Sequence, residues 1–114
     1  MASAGTVFVL NAETMGRGDD VLGAKLVGSF LRTLAVTYPK PDAIVFYNSA
    51  VRLLAEGSPH LEPLRGLDDA GVDLLACVTC LEFYDLVGKI AVGHVSNMRE
   101  IVQRTMGAAK VVTV

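Results

Sequence analysis

The hydrophobic residues of this chain fall into short apolar runs separated by segments with helical spacing. The first run, Thr6–Leu10, is almost continuously apolar and rich in β-branched residues, which predicts a strand buried on both faces. Similar runs predict strands over residues 43–47, 72–76, 90–92 and 110–114. Strands therefore alternate with helices, which predicts a single-domain three-layer α/β/α fold with a mostly parallel five-stranded sheet.

The first two predicted helices have clear start and stop signals. Asp19 or Asp20 can cap the first helix with its carboxylate, and apolar residues at helical spacing continue to about Val36. Ser58 followed directly by Pro59 predicts the start of the second helix, and Gly71 ends it.

The last two predicted helices are shorter and begin at capping motifs. Thr79 and Glu82 fit a capping box at the start of a short helix over residues 81–86. Asn97 and Glu100 form a similar box, with Asn in place of Ser or Thr, at the start of a helix that leads to the last strand.

Composition limits the classes of function that this chain can perform. Its 114 residues suffice for one domain, and hydrophobic residues make up 52%, so a packed core is expected over residues 1–114. The net charge is −2 and no Lys/Arg cluster is present, which disfavours nucleic-acid binding. No apolar run approaches the roughly 20 residues that span a membrane. The first residues lack the pattern of a signal peptide, so we expect a cytoplasmic protein.

Ligands of parallel α/β sheets bind at the carboxyl ends of the strands. The loops at the predicted ends carry seven candidate binding residues: Gly16, Arg17, Gly18, Asn48, Ser49, Thr79 and His94. Gly16 and Gly18 offer a backbone cradle, and Arg17 between them can contact an anion. Asn48 and Ser49 can form hydrogen bonds with a ligand. His94, in a loop after the fourth predicted strand, can donate a proton. Each of these residues also fits an ordinary structural role, such as closing a turn or lying on the surface.

Cys77 and Cys80 are the only cysteines, and their C-x-x-C spacing falls where the third strand meets a helix. Free N–H groups and the dipole at a helix start stabilise a thiolate, which predicts a lowered thiol pKa and a nucleophile at neutral pH. Two thiols one helical turn apart can also form a disulfide. Three other readings stay open: inert packed thiols, a dithiol oxidoreductase, and a structural zinc site, for which His60 and His94 lie at unsuitable spacing.

Several segments, in the same order along nearly the whole chain, match a known family. They cover residues 15–23, 46–51, 56–58, 71–84 and 92–98. The chain resembles the DsrE/DsrF-like family of small sulfur-relay proteins, which have the YchN-like α/β fold. Within it, the chain is most similar to the carboxy-terminal domain of the YedF-like members, described as sulfurtransferase-like selenium metabolism proteins.

The resemblance implies that the protein is a carrier of sulfur, or of chemically similar selenium. The cysteine after the third strand, here Cys77, would hold a persulfide, and Cys80 would assist its transfer or close a disulfide with it. The resemblance implies no metal or organic cofactor, donor and acceptor carrier proteins as partners, and a homo-oligomer such as a trimer or hexamer. The alternative is a non-enzymatic oligomeric binding module in which the thiols are only packed.

Overall fold

Five short strands form the sheet that organises this protein. In the computed structural model, which describes residues 5–114, they are β1 (Thr6–Leu10), β2 (Ala43–Phe46), β3 (Asp73–Cys77), β4 (His94–Ser96) and β5 (Lys110–Thr113). The order across the sheet is β4-β3-β2-β1-β5, and every neighbouring pair is parallel. The predicted α/β fold with five strands is confirmed, and its sheet is parallel throughout.

Helices cover both faces of this sheet. They are α1 (Asp20–Ala35), α2 (Leu61–Asp69), α3 (Val78–Phe83) and α4 (Met98–Gly107), together with a 3₁₀ helix over Asn48–Leu54. None of the helices within residues 5–114 has the length and apolar character needed to cross a bilayer.

The core lies on both sides of the central strand β2, because successive strand residues point to opposite faces. On one face, Ile44 and Phe46 are fully buried in a cluster with Leu31 of α1. On the other face, Val45 is fully buried in a second cluster with Ile101 of α4. Burial on both faces explains why the sequence of β2 is continuously apolar rather than alternating.

Helix α1 begins and ends close to the predicted positions. Asp19 is the N-cap, and its Oδ1 accepts a hydrogen bond from the backbone N–H of Leu22 at 2.9 Å. That bond satisfies one of the free N–H groups of the first turn. Asn97 caps α4 in the same way, with Oδ1 accepting from the N–H of Glu100 at 2.9 Å.

The prediction of the fourth strand over residues 90–92 is wrong. Ile90 instead makes an isolated antiparallel bridge with Ala55, while Val92 is buried in the first core cluster. The strand that pairs with β3 is β4, which starts at His94. The apolar character of residues 90–92 therefore reflects packing of a loop on the core, and β4 itself is short and largely exposed.

The predicted start of the third helix is also wrong. Cys77 is the N-cap of α3, and Thr79 lies inside the helix with no side-chain capping bond. The helix starts earlier because β3 passes directly into it without an intervening loop. As a result, both cysteines lie at the junction between β3 and α3. Helix α2 starts at Leu61, slightly after the predicted position, with Pro63 in its first turn, where a missing N–H costs little.

Candidate functional site

The two thiols lie together at the carboxyl edge of the sheet. Cys77 is the last residue of β3, and Cys80 follows one helical turn later in α3. Both are free cysteines, and Cys80 packs against the buried cluster that contains Cys77. They differ in exposure, because Cys77 is only 3% exposed whereas Cys80 is half-buried. Of the two cysteines, Cys80 is therefore the one that reaches the surface.

Asn48 supplies a hydrogen-bond donor to this pair from the neighbouring strand. It begins the 3₁₀ helix soon after β2, which is paired in parallel with β3. The backbone N–H of Asn48 donates to Sγ of Cys80 at 3.0 Å. The backbone of Asn48 has φ of 50°, a left-handed conformation that asparagine tolerates better than most residues.

Tyr84 connects Asn48 to further polar groups. Its hydroxyl donates to Oδ1 of Asn48 at 3.0 Å. The guanidinium carbon of Arg52 lies 4.5 Å from the centroid of the Tyr84 ring, which is cation–π geometry. Arg52 in turn forms an ion pair with Glu13 at 3.3 Å, and the N–H of Glu13 donates to Oγ of Ser49 at 3.0 Å. These contacts link the loop after β1 to the surroundings of the thiols.

The thiol of Cys80 does not have the lowered pKa that the sequence predicts for a helix start. Burial raises the pKa of Cys80, the hydrogen bond from Asn48 lowers it in part, and the neighbouring thiol of Cys77 raises it further. Burial prevails because desolvation disfavours the charged thiolate, and α3 has only six residues to contribute a dipole. Cys80 is therefore a neutral thiol in the resting protein at neutral pH.

Tyr47 also belongs to this site, although the sequence assigned it to the second strand. It lies directly after β2 and packs, like Cys80, against the cluster that contains Cys77. Burial raises the pKa of the Tyr47 hydroxyl, and the two nearby cysteines raise it further because their thiolate forms would repel a phenolate. Its phenol thus stays protonated near both sulfur atoms. The sequence signal for this role of Tyr47 was its position directly before the polar pair Asn48–Ser49.

Of the other predicted binding residues, Thr79 lies beside the thiols in the chain, whereas residues 16–18 lie in the loop before α1. Thr79 stands between the cysteines in α3, with its side chain exposed. Gly16, Arg17 and Gly18 form an exposed part of the loop before α1, where the two glycines have positive φ. In the described part of the chain, no hydrogen bond joins these three residues to either cysteine.

The prediction that His94 lies in a loop beside the thiols is wrong. It is the first residue of β4 and pairs with Leu75, while Ser96 pairs with Cys77. His94 therefore lies two residues before the carboxyl edge and is exposed there. This displacement follows from the later position of β4 along the chain.

The thiols belong to no metal cluster of the part of the chain that the structure describes, and neither cysteine lines the cavities given below. No group of three or more His, Cys, Asp or Glu residues is close enough there to hold a metal ion. The cavity nearest to the contacts described above has a volume of about 500 Å³ and is lined in part by Glu13, Ser49 and Arg52. Larger cavities of about 640 and 810 Å³ lie elsewhere, beside Arg104 and along α1. Cys80, which is half-buried at this edge of the sheet, is the thiol that another molecule can contact.

Comparison with solved structures identifies the fold. No protein-family model matches the chain, and no curated protein matches its sequence. The ychN protein from E. coli has the same fold with a TM-score of 0.64 and 16% identity, over 96% of this chain and 99% of that one. The protein of unknown function MTH1491 from Methanobacterium thermoautotrophicum has a TM-score of 0.68 and 24% identity, over 96% and 97%.

A third structure extends this comparison. The conserved protein of unknown function BT1422 from Bacteroides thetaiotaomicron covers 100% of both chains, with a TM-score of 0.60 and 12% identity. At such identities these likenesses establish the architecture alone. The predicted YchN-like fold is confirmed, and the resemblance to DsrE/DsrF-like and YedF-like proteins stays a prediction from the sequence.

Proposed function

We propose that this protein carries sulfane sulfur as a persulfide on the Cys77/Cys80 thiol pair and passes it between other proteins. The observation that carries this proposal is the position of two free thiols near each other at the carboxyl edge of the sheet, where Cys80 packs against the cluster that contains Cys77 and receives a backbone hydrogen bond. A YchN-like fold is compatible with the DsrE-like sulfur relay that the sequence resemblance implies. Selenium has similar chemistry, and the proposal extends to it as cargo.

Exposure favours Cys80 as the thiol that meets the donor. The sequence resemblance implies that role for Cys77, but Cys77, the N-cap of α3, is only 3% exposed. A donor persulfide can approach Cys80, which is half-buried. We therefore assign sulfur entry to Cys80 and place Cys77 as its inner partner.

The loading step exchanges one sulfur–sulfur bond for another. The thiolate of Cys80 attacks the terminal sulfur of a donor persulfide, R–S–SH, and the bond between the two donor sulfurs breaks. The donor leaves as the thiolate R–S⁻, and Cys80 becomes Cys80–S–SH, so no external oxidant is consumed. Delivery to an acceptor thiolate is the same exchange in the opposite direction.

The inner thiol provides a second outcome for the loaded protein. If the thiolate of Cys77 attacks Sγ of Cys80–S–SH, a Cys77–Cys80 disulfide forms and hydrosulfide leaves with the electron pair of the broken bond. A low-molecular-weight thiol or a dithiol protein would then reduce the disulfide. This release requires Sγ of Cys77 to reach Sγ of Cys80, and the two residues are neighbours in the second core cluster.

The proposed partners are donor and acceptor carrier proteins, together with further copies of this chain. Cys80 is partly exposed at the carboxyl edge of the sheet, which favours transfer by docking of another protein. The trimer or hexamer implied by the resemblance is part of the same proposal. A cytoplasmic location would keep both thiols reduced between cycles.

Sulfur loading can be measured by intact-protein mass spectrometry after the reduced chain is incubated with a low-molecular-weight persulfide. We expect the wild-type chain to gain the mass of one sulfur atom, Cys77→Ser to retain that gain, and Cys80→Ser to lose it. The double variant Cys77→Ser/Cys80→Ser is the control for adventitious sulfur. Equal loading of the double variant and the wild type would rule out the proposal, whereas loading lost only in Cys77→Ser would return the carrier role to Cys77.

The proximity of two free cysteines also favours a second candidate, a dithiol oxidoreductase. Such a protein would reduce a model disulfide catalytically and become oxidised to the Cys77–Cys80 disulfide. Stoichiometric sulfur gain without turnover of a model disulfide favours the carrier, and the converse favours the oxidoreductase.

A further inference from the structure

Three hydrogen bonds form a closed ring through Cys80. The backbone N–H of Tyr84 donates to the carbonyl oxygen of Cys80 at 3.1 Å, as the end of α3 requires. The hydroxyl of Tyr84 donates to Oδ1 of Asn48 at 3.0 Å. The backbone N–H of Asn48 donates to Sγ of Cys80 at 3.0 Å and completes the ring.

We propose that Tyr84 is a positioning residue that controls the reactivity of Cys80 by holding the backbone N–H of Asn48 against its sulfur atom. Tyr84 does not act on the sulfur itself, because the contact of its hydroxyl is with the amide oxygen of Asn48. The role in sulfur transfer rests on the proposed function, whereas the effect on the thiol does not depend on it.

The conformation of Asn48 explains why such a support is needed. Its φ of 50° is a left-handed conformation that costs most residues with a Cβ roughly 1–2 kcal/mol and asparagine less. Relaxation of that conformation would turn the peptide N–H away from Cys80. The bond from Tyr84 to the Asn48 side chain opposes this relaxation, since it joins two segments 36 residues apart.

The ring of Tyr84 is itself held in place from two directions. Arg52 stacks over it at 4.5 Å, and Phe83 makes an edge-to-face contact with a centroid distance of 5.1 Å. The hydroxyl therefore has a defined direction without contribution from the thiols.

The consequence concerns the thiolate that must form before Cys80 can attack a donor. A hydrogen bond to a charged acceptor is roughly twice as strong as one to a neutral acceptor, so the Asn48 N–H stabilises the thiolate more than the thiol. It is the contact that lowers the pKa of Cys80 against the effect of burial. Loss of the Tyr84 hydroxyl should weaken this contact and make Cys80 less reactive at neutral pH.

The experiment is the pH dependence of alkylation of Cys80 by iodoacetamide, with the label assigned to Cys80 by fragment-ion mass spectrometry of the full chain. Tyr84→Phe keeps the ring and its contacts and removes only the hydroxyl. We expect the midpoint of the profile to rise and the rate at pH 7 to fall about threefold, while the limiting rate at high pH is unchanged. Tyr38→Phe, at an exposed tyrosine 78% accessible to solvent, is the matched control and should leave the profile unchanged.

A second variant tests the path through Asn48 and does not depend on the behaviour of Tyr84→Phe. Asn48→Gly permits the left-handed backbone and removes the acceptor of the Tyr84 hydroxyl, so it should raise the midpoint in the same direction. The double variant Tyr84→Phe/Asn48→Gly should shift it no further than the larger single effect, because both act through one contact. An unchanged midpoint in folded Tyr84→Phe, or additive shifts in the double variant, would overturn the proposal.

The outcome for the proposed function is separate. If the midpoint shifts while neither the wild-type chain nor Cys77→Ser gains sulfur from a persulfide, the positioning role stands and the carrier function fails. If the chain gains sulfur while the midpoint does not move, the carrier function stands and Tyr84 has only a packing role.

Discussion

The backbone N–H of Asn48 and the sulfur of Cys80, 32 residues apart in the chain, are joined by a hydrogen bond of 3.0 Å. This bond exists because β2 and β3 are parallel neighbours that end at the same edge of the sheet. It opposes the effect of burial on the thiol without cancelling it, since the pKa of Cys80 remains raised. Cys80 therefore rests as a neutral thiol, and the N–H of Asn48 is already placed to stabilise the thiolate when it forms.

The first prediction is the pH dependence of Cys80 in the wild-type chain. Burial disfavours the thiolate, so the pKa of Cys80 is raised and alkylation should become fast only as the pH rises through a midpoint above that of a solvated thiol. Iodoacetamide labelling across a pH series measures this midpoint, and the same chain unfolded in urea provides the solvated reference. A folded-state midpoint below the unfolded reference would contradict the assigned direction.

The second prediction is the order in which the two cysteines react. Cys77 is 3% exposed and Cys80 is half-buried, so Cys80 should be labelled at least about tenfold faster under native conditions. Partial labelling followed by fragment-ion mass spectrometry measures the two rates in one molecule. The ratio should approach one in urea, where both side chains are solvated. Similar native rates would mean that Cys77 has access to solvent, and inertness of both would favour the packed-thiol alternative.

The third prediction concerns the left-handed backbone of Asn48. Both Asn48→Gly and Asn48→Ala remove the acceptor of the Tyr84 hydroxyl, but only alanine has a Cβ that is strained at φ of 50°. Asn48→Ala should therefore lower the free energy of unfolding by about 1 kcal/mol more than Asn48→Gly. Urea denaturation of the pair measures the difference, and equal stabilities would show that the backbone relaxes without cost.

The sequence was sufficient to predict the central part of the fold. Thr6–Leu10 and the run from Ala43 onward are predictable because strands buried on both faces are apolar at every position. The start of α1 is predictable because Asp19 makes a local capping bond. Such signals act within a few residues and are therefore visible in one sequence.

The parts that could not be predicted depend on the pairing of distant segments. The edge strand β4 pairs on one side only and exposes Val95 by 44%, so it lacks a continuous apolar run. The cysteine pair was visible in its spacing, but the hydrogen bond from Asn48 depends on the pairing of β2 with β3.

Tyr84, in contrast, had a signal in the sequence. It follows Cys80 by four residues in a helical segment, and this spacing brings two side chains to the same face of a helix.

The fourth prediction tests how β4 is held beside β3. Gly93 has φ of 80° directly before β4, and a Cβ there would lie 2.8 Å from the carbonyl oxygen of Leu74 and 2.9 Å from its Cβ. Gly93→Ala would therefore combine backbone strain with a steric clash that can be relieved only by moving β4 away from β3. We expect the free energy of unfolding to fall by about 2–4 kcal/mol, measured by urea denaturation.

The matched control for this variant is Gly57→Ala. Gly57 has a similar φ of 87°, but nothing lies within 4 Å of the position of its Cβ. The free energy of unfolding of this variant should fall only by the cost of the left-handed conformation, about 1 kcal/mol. The difference between the two variants isolates the close approach of Gly93 to Leu74, because the backbone strain is common to both. If the two variants were equally destabilised, the approach would not constrain β4, and the position of Ser96 beside Cys77 would depend on the other contacts of that strand.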